Sequence, residues 1–369
     1  LAPASGRTAV VSKSPATGTL FDSNIGGHWG VELKKAGYDG IIVEGRAEKP
    51  VRIAISDAET RIKDASELWG RSTGDTASSL RKKGKVRVLC IGPAGENLVK
   101  FAGIMDDEHR AAGRGGLGAV MGSKNLKAIT VFGTQRIKPA NEYAFKEHYK
   151  KLLGILKGRR QAISGSPGWK KACATCPIAC RGVMKSGKNH VQKHESAWVF
   201  GPHFGLADPE AIARANHLCN ELGLDSISMG DALAFNLQAS DKELFDDITG
   251  NPNVVLKLIE DTAHRRDLGE LLAEGNKNVL SKTEYSNPKL KDGVKILKPR
   301  EDDSAVLDSL PLCKFTSSAI EFEGGLLVEL LTAATDLPFE NGELKLVGER
   351  IIKLEKLFNV REAFPKPVQ

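Results

Sequence analysis

The chain has 369 residues, with 53 lysines and arginines, 46 aspartates and glutamates, and six cysteines. That length allows two or three domains with real cores, and the charge and apolar content are those of an ordinary soluble protein. Six cysteines, three of them clustered, exclude a disulfide scaffold. The lack of any apolar run of about eighteen residues excludes a membrane-spanning helix, and the mild basic excess fits an anionic cofactor or acidic redox partner rather than nucleic acid.

Residues 1–134 read as strand-rich. Short apolar runs at Thr8–Val11, Gly40–Glu44, Val51–Ile55, Val86–Ile91 and Ala128–Phe132 are separated by glycine-rich turns. One amphipathic helix is predicted over Gly30–Ala36. Much of the glycine, 38 residues in all, falls before Gly122, where backbone can approach a ligand closely. From about Asn141 the apolar spacing becomes helical. It predicts helices over Glu142–Leu156, Pro209–Leu222, Asn253–Arg266, Gly269–Leu280 and Gly348–Phe358, with a polar, lysine-rich loop over Thr283–Asp303. No repeat of fixed period is present. No signal peptide is visible at Leu1, so a cytoplasmic location is expected.

The run Cys173-Ala-Thr-Cys176-Pro-Ile-Ala-Cys180 is the most informative feature. Three thiolates at C-x2-C-x3-C spacing can hold three corners of one cluster or metal. The spacing suits iron–sulfur ligation better than a zinc finger, which pairs two C-x2-C units or adds two histidines. The fourth ligand must come from elsewhere, and Cys219 and Cys313 are the downstream candidates. Cys90 lies in a strand run and reads as a packed core thiol.

Gly113-Arg-Gly115-Gly-Leu-Gly118 is formally G-x-G-x-x-G. A dinucleotide fingerprint should follow a buried strand, with an acid about 20 residues on. The residues before it, Asp106-Asp107-Glu108-His109-Arg110, do not read as a buried strand, and no acid lies between Gly118 and Phe132. The loop with Arg110 and Arg114 suits a phosphate or is a plain turn. Ser23-Asn24-Ile-Gly26-Gly27 before the first helix is a second glycine turn of the same ambiguity.

Two segments share a shape, Asn220-Glu-Leu-Gly223-Leu224-Asp225-Ser226 and Asp308-Ser-Leu-Pro-Leu312-Cys313. Each runs acid or amide, two residues, glycine or proline, leucine, then a polar or thiol residue. Gly223 alone would be a helix C-cap. The second copy, ending in a candidate fourth cysteine, makes a stronger signal. Glu195, in an apolar stretch with His203 eight residues on, reads as a buried proton-transfer group or as a polar surface residue.

Taken together, these residues resemble the tungsten-containing aldehyde:ferredoxin oxidoreductase family. The matching stretches are Gly6-Arg7, Ser12–Gly45, Gly92–Lys127, Cys173–Cys180, His194–Gly205, Asn220–Gly230 and Asp308–Thr316. The resemblance implies an α+β / α/β multidomain fold. An N-terminal two-sheet pterin-binding domain (1–135), its sheets related by a pseudo-twofold, precedes two mainly helical domains (136–240 and 241–369). It implies a tungsten ion held by two pyranopterins, a [4Fe-4S] cluster on Cys173, Cys176, Cys180 and Cys313, and Mg2+ bridging the pterin phosphates. Arg7, Asn24, Gly26, Arg110 and Ala111 would line those phosphates. Asn220, Leu224, Asp225 and Ser226 would grip one pterin, and Asp308 and Leu312 the other. Glu195 matches the family's active-site glutamate.

Some positions depart from the family pattern. Asn220 stands where an aspartate is usual, and Pro311 where glycine is usual, which removes a backbone donor. Little chain lies between Ser281 and Asp308, or between Arg160 and Trp169. The resemblance implies oxidation of an aldehyde to a carboxylic acid, or the reverse, with electrons leaving through the cluster to ferredoxin or an iron–sulfur subunit in a homo- or hetero-oligomer. A second reading is reduction of an aromatic acyl-CoA, with His203 as proton donor. A third, from another class, is a non-catalytic iron–sulfur or zinc module.

Overall fold

A computed structural model describes residues 1–57, 59–81, 86–107, 110–163, 169–186, 189–191, 194–240, 249–275, 302–313, 325–340 and 342–363. In the first 133 residues the elements are β1 (Thr8–Lys13), β2 (Leu20–Ile25), α1 (Trp29–Lys35), β3 (Val51–Ser56), β4 (Thr60–Asp64) and α2 (Thr73–Leu80). After them come β5 (Arg87–Cys90), α3 (Pro93–Glu96), β6 (Ile104–Asp106), β7 (Ala111–Ala112), α4 (Leu117–Ser123) and β8 (Leu126–Phe132).

These strands make two sheets of unequal size. β1 and β2 form an antiparallel hairpin, and the other six pair in the order β4-β3-β8-β5-β6-β7. β3 and β8 are parallel, and the remaining pairs are antiparallel. The central strand β8 is buried almost throughout, because it is covered on both faces. α1 packs Trp29 and Leu33 onto this sheet, and the Trp29 indole N–H donates to the Ile129 carbonyl at 3.1 Å.

The apolar run Gly40–Glu44 is not a strand, and Ile42 is 91% exposed. Among the described residues no strand pairs with it, and an unpaired apolar run gains no ladder. Within β8, Lys127 is wholly buried and pairs with Glu96, its ammonium also donating to the Arg71 carbonyl at 2.9 Å. Burial at this depth requires such partners.

The rest is mainly helical, as α5 (Glu142–Ile163) begins to show. A small three-stranded sheet then interrupts: β9 (Trp169–Lys171), β10 (Arg181–Ser186) and β11 (Asn189–Val191). Helices α6 (His194–Phe200), α7 (Pro209–Leu222), α8 (Ser226–Ser240), α9 (Pro252–His264) and α10 (Leu268–Ala273) follow, then α11 (Asp302–Ser309), α12 (Leu326–Thr335) and α13 (Glu343–Ala363). α7 starts on an Asp208 cap that accepts from two backbone N–H groups and ends on left-handed Gly223, the usual asymmetric signals.

Of the expected loop Thr283–Asp303, only Asp302 and Asp303 are described, and they open α11. The end of the expected helix Gly269–Leu280 also lies outside the described residues. Among the described residues four apolar clusters result, the smallest being Ala77, Val88, Cys90 and Ala128. One backs the six-stranded sheet with α1 and α4, and a second joins α6–α10 to residues 94–119. The third draws Ala4, α5, the cysteine loop, α11 and α12 together.

Candidate redox site at the junction of the cores

The cysteine loop is the connection of a hairpin. β9 and β10 pair antiparallel with Lys171 opposite Arg181, so Cys173–Cys180 bulge from its closed end. Thr175 and Ala179 take positive φ, 58° and 49°, and the Cys176 N–H donates to the Cys173 carbonyl at 3.2 Å. These features wind the loop tightly around its three cysteines. Burial raises the Cys176 pKa, the Ile178 and Ala179 N–H groups draw it down, and neighbouring Cys173 and Cys313 raise it again; the net shift is upward.

Three backbone bonds clamp the loop to distant chain. Ala174 N–H donates to Gly27 (2.9 Å), Ala4 N–H to Thr175 (3.2 Å), and Cys313 N–H to Ala4 (3.2 Å). Cys313 therefore arrives beside a loop more than a hundred residues earlier, and it shares a core with Cys176 and Cys180.

Arg7 ties the thiols together. Its Nη2 donates to Cys313 Sγ at 3.2 Å and its Nη1 to the Asn24 carbonyl at 3.1 Å. Burial lowers the Arg7 pKa, but Cys313, then Cys173 and Cys180, act upward and prevail. Cys219 does not join this set. It is wholly buried in α7 within the helical core, and burial holds its thiol well above the ordinary range. Cys90 is likewise a packed strand thiol, donating to the Thr73 carbonyl at 3.6 Å and pushed up to about 12 by burial. Among the described residues no three Cys, His, Asp or Glu side chains form a site for one metal ion. A cluster differs in kind, since it takes one thiolate on each of several irons.

The second copy of the shared motif meets the same place. Asn24 Nδ2 donates to Asp308 Oδ1 at 2.6 Å, while Asp22 Oδ2 lies at 3.4 Å. Asp308 is buried on α11, and Leu312 sits just before Cys313 with its N–H on the Leu307 carbonyl. Two buried atoms here, Arg7 Nε and Asn24 Oδ1, have no hydrogen-bond partner among the described residues. Buried polar atoms of this kind call for an explanation, and a ligand is one.

Gly26 and Gly27 close the wall. A Cβ on Gly26 would come within 2.6 Å of Cys173 Sγ and 3.6 Å of Arg110 Cδ. Gly27 has φ +117° and lies against Asp106. Arg110 is buried, its N–H on Asp106 Oδ1 (2.7 Å) and its Nη2 on the Ala172 carbonyl (2.7 Å). Ala111 follows in β7, half-buried.

The glycines of the G-x-G-x-x-G run face protein. Gly113 lies against Asp225, Gly115 (φ +88°) against the Phe21 ring, and Gly118 against the Gly103 carbonyl. The residues before it do include a buried strand, β6, contrary to the sequence expectation. Ile104 and Met105 read as a strand only once their pairing with β5 and β7 is known.

The first motif lies where α7 meets the sheet domain. Asn220 is buried and its carbonyl accepts from Thr73 Oγ1 at 2.8 Å. Leu224 is fully buried and bridges to Ala102. Asp225 Oδ2 accepts from Ser228 N (3.2 Å) and Oγ (2.6 Å), starting α8 at Ser226.

Glu195 is in α6, but its side chain lies outside the described residues. His203 is exposed, stacks on Trp198 with centroids 4.8 Å apart, and has Asp231 Oδ1 at 3.5 Å from Nε2. The structure places it on the surface rather than in the buried cluster. Sequence reasoning missed Asp22, Asp106, Ala4 and Ser228. Only Ser228 left a local signal, as the serine three residues after an N-cap aspartate.

A sheet domain meets helical units where the cysteine loop, Cys313, the buried Arg7 and polar atoms without a partner among the described residues come together, and these are residue types that a redox cofactor uses. The chain belongs to the aldehyde ferredoxin oxidoreductase family, an oxidoreductase family: the family's N-terminal domain model matches residues 1–133, and the model of its domains 2 and 3 matches 119–290 and 281–367. It is 34% identical to a tungsten-containing aldehyde ferredoxin oxidoreductase of Pyrococcus furiosus over 474 aligned positions, covering 98% of this chain and 78% of the relative. That alignment is longer than the chain itself, so internal segments of the relative have no counterpart here.

The like-named protein of Thermococcus kodakarensis is 33% identical with the same coverage. A P. furiosus aliphatic sulfonate oxidoreductase, WOR-like subunit, is 29% identical over 73% of this chain and 54% of its own length. In fold the chain is similar to a chain of the active-site complex BamBC of benzoyl coenzyme A reductase. The TM-score is 0.83 at 20% identity, covering 98% of this chain and 79% of that one. No helix among the described residues is long and apolar enough to cross a membrane.

Proposed function

We propose that the chain is a tungsten–pterin oxidoreductase that oxidises an aldehyde, with water, to a carboxylic acid, two protons and two electrons, or runs the reverse. The electrons would pass through a [4Fe-4S] cluster, one at a time, to ferredoxin or an iron–sulfur partner subunit. The observation that carries this reading is the meeting of Arg7 with Cys313 and of Asn24 with Asp308. It sets Cys313 and the Asp308 segment against Arg7 and Asn24, which supports a cofactor held there.

The residues fit the groups. Cys173, Cys176, Cys180 and Cys313 would hold the cluster, and Arg7, touching Cys313, would offset its thiolate charge. Asp225 and Asp308, both buried, would accept from pterin ring N–H groups beside Asn220, Leu224, Ser226 and Leu312. Arg7, Asn24, Gly26, Arg110 and Ala111 would face pterin phosphates and a bridging Mg2+. When bound, the tungsten pterin supplies two-electron oxidation state changes at the substrate carbon. Glu195 would take and release the substrate proton, and His203 is the fallback for that role. Free thiols of this kind persist in a reducing compartment, which supports a cytoplasmic location.

Metal and pterin analysis of purified protein tests the reading. Tungsten or molybdenum with about four irons per chain, together with aldehyde-dependent reduction of a low-potential dye, is the expected result. Zinc alone overturns it in favour of a structural module. Turnover of aromatic acyl-CoA thioesters without aldehyde turnover would transfer the reading to the reductase branch.

A further inference from the structure

We infer that Asn216 is a further cofactor-holding residue, donating from Nδ2 to an acceptor on the heterocycle seated at Asn220 and Asp225. The inference rests on the cofactor reading given above. Asn216 is only 3% exposed, and its Nδ2 has no hydrogen-bond partner among the described residues. A side-chain amide buried without an acceptor is unfavourable, and helices in water-free cores do not retain one without cause.

Its position supplies the cause. Asn216 lies four residues before Asn220 on α7, so the two stand one above the other on the same helix face. Asn220 opens the first motif and is itself buried, and its backbone carbonyl is tied to Thr73 of the sheet domain. That bond holds this end of α7 against the junction. The opposite side of α7, with Ala211, Ala215 and Leu222, belongs to the apolar helical core. The amide therefore stands on the helix face that carries the first motif.

The chemistry is complementary to the rest of the motif. Asp225 can only accept, and it already serves the start of α8 through Ser228. A pterin edge presents both N–H donors and carbonyl or ring-nitrogen acceptors. Carboxylates satisfy the donors, and an amide N–H satisfies an acceptor. Asn216 thus supplies the kind of group that the two aspartates cannot.

The test uses holoenzyme of the native chain, Asn216→Leu and Asn216→Ala. Leucine keeps the bulk and removes the donor. Release of pterin is followed by its fluorescence during timed incubation at raised temperature, and the Tm of each cofactor-stripped protein is measured alongside. Both variants are expected to release pterin about tenfold faster, while stripped Asn216→Leu keeps a Tm at or above that of the native chain. Unchanged release in both variants overturns the inference. So does faster release matched by an equal drop in stripped Tm, which marks a purely structural role. If Asn216→Leu does not fold, Asn216→Ala decides alone. A native chain that carries no pterin at all is a different outcome, since it defeats the cofactor reading itself.

Discussion

At the scale of single residues, charge and donor count decide the site. Cys313 is the thiol that Arg7 touches and Cys219 is not. Cys313→Ala should therefore lose the cluster or convert it to a three-iron form, read by iron content and electron paramagnetic resonance. Cys90→Ala should leave both unchanged. Cys90 also carries a pH signature. Its folded pKa stands near 12, above the ordinary 9.0, so its contribution to stability is full below pH 9 and is lost as pH rises from there toward 12. Tm measured across that window should fall less steeply in Cys90→Ala than in the native chain; parallel curves would show that other groups control the alkaline limit. Glu195→Gln keeps the shape and removes the titrating proton. It should retain metal and pterin and lose turnover by about 10²-fold or more. A fully loaded variant with near-native rate would make Glu195 structural.

At the scale of elements, close approach is what the glycines provide. Gly26 follows β2 and lies against Cys173, and an alanine there would put Cβ 2.6 Å from its sulfur. Gly26→Ala should fold its sheet, judged by circular dichroism, yet bind much less iron. Full iron loading would show that the cysteine loop can step aside. Strands such as Val51–Ser56 and helices such as Pro209–Leu222 were legible because a period of two or 3.6 residues runs through each with a cap or turn at the end. β6, β7 and the hairpin around the cysteines were not. Each has two to six residues, and such pieces are strands only by virtue of their partners. Gly40–Glu44 failed in the opposite sense, with strand composition and no partner strand among the described residues.

At the scale of the whole molecule, the site is also a joint. Backbone bonds from Ala4 to Thr175 and Cys313, and from Ala174 to Gly27, bind three stretches of chain around it. Ligands held there should couple the cores. Removing them is expected to lower Tm by about 5 °C or more, since tight binding to the folded state alone adds several kcal/mol. Equal Tm with and without metal and pterin would mean that the cores stand independently. The sequence alone determined the donor inventory: the C-x2-C-x3-C run, the paired Asn220 and Asp308 motifs, and the glycines that leave room. Those are local, because a loop's chemistry is written in adjacent residues. Only the tertiary structure brings Cys313 into the core that holds Cys176 and Cys180, Arg7 onto Cys313, and Asn24 onto Asp308. The last two are contacts between residues 284 to 306 positions apart, and packing of whole elements, not any local period, brings them together.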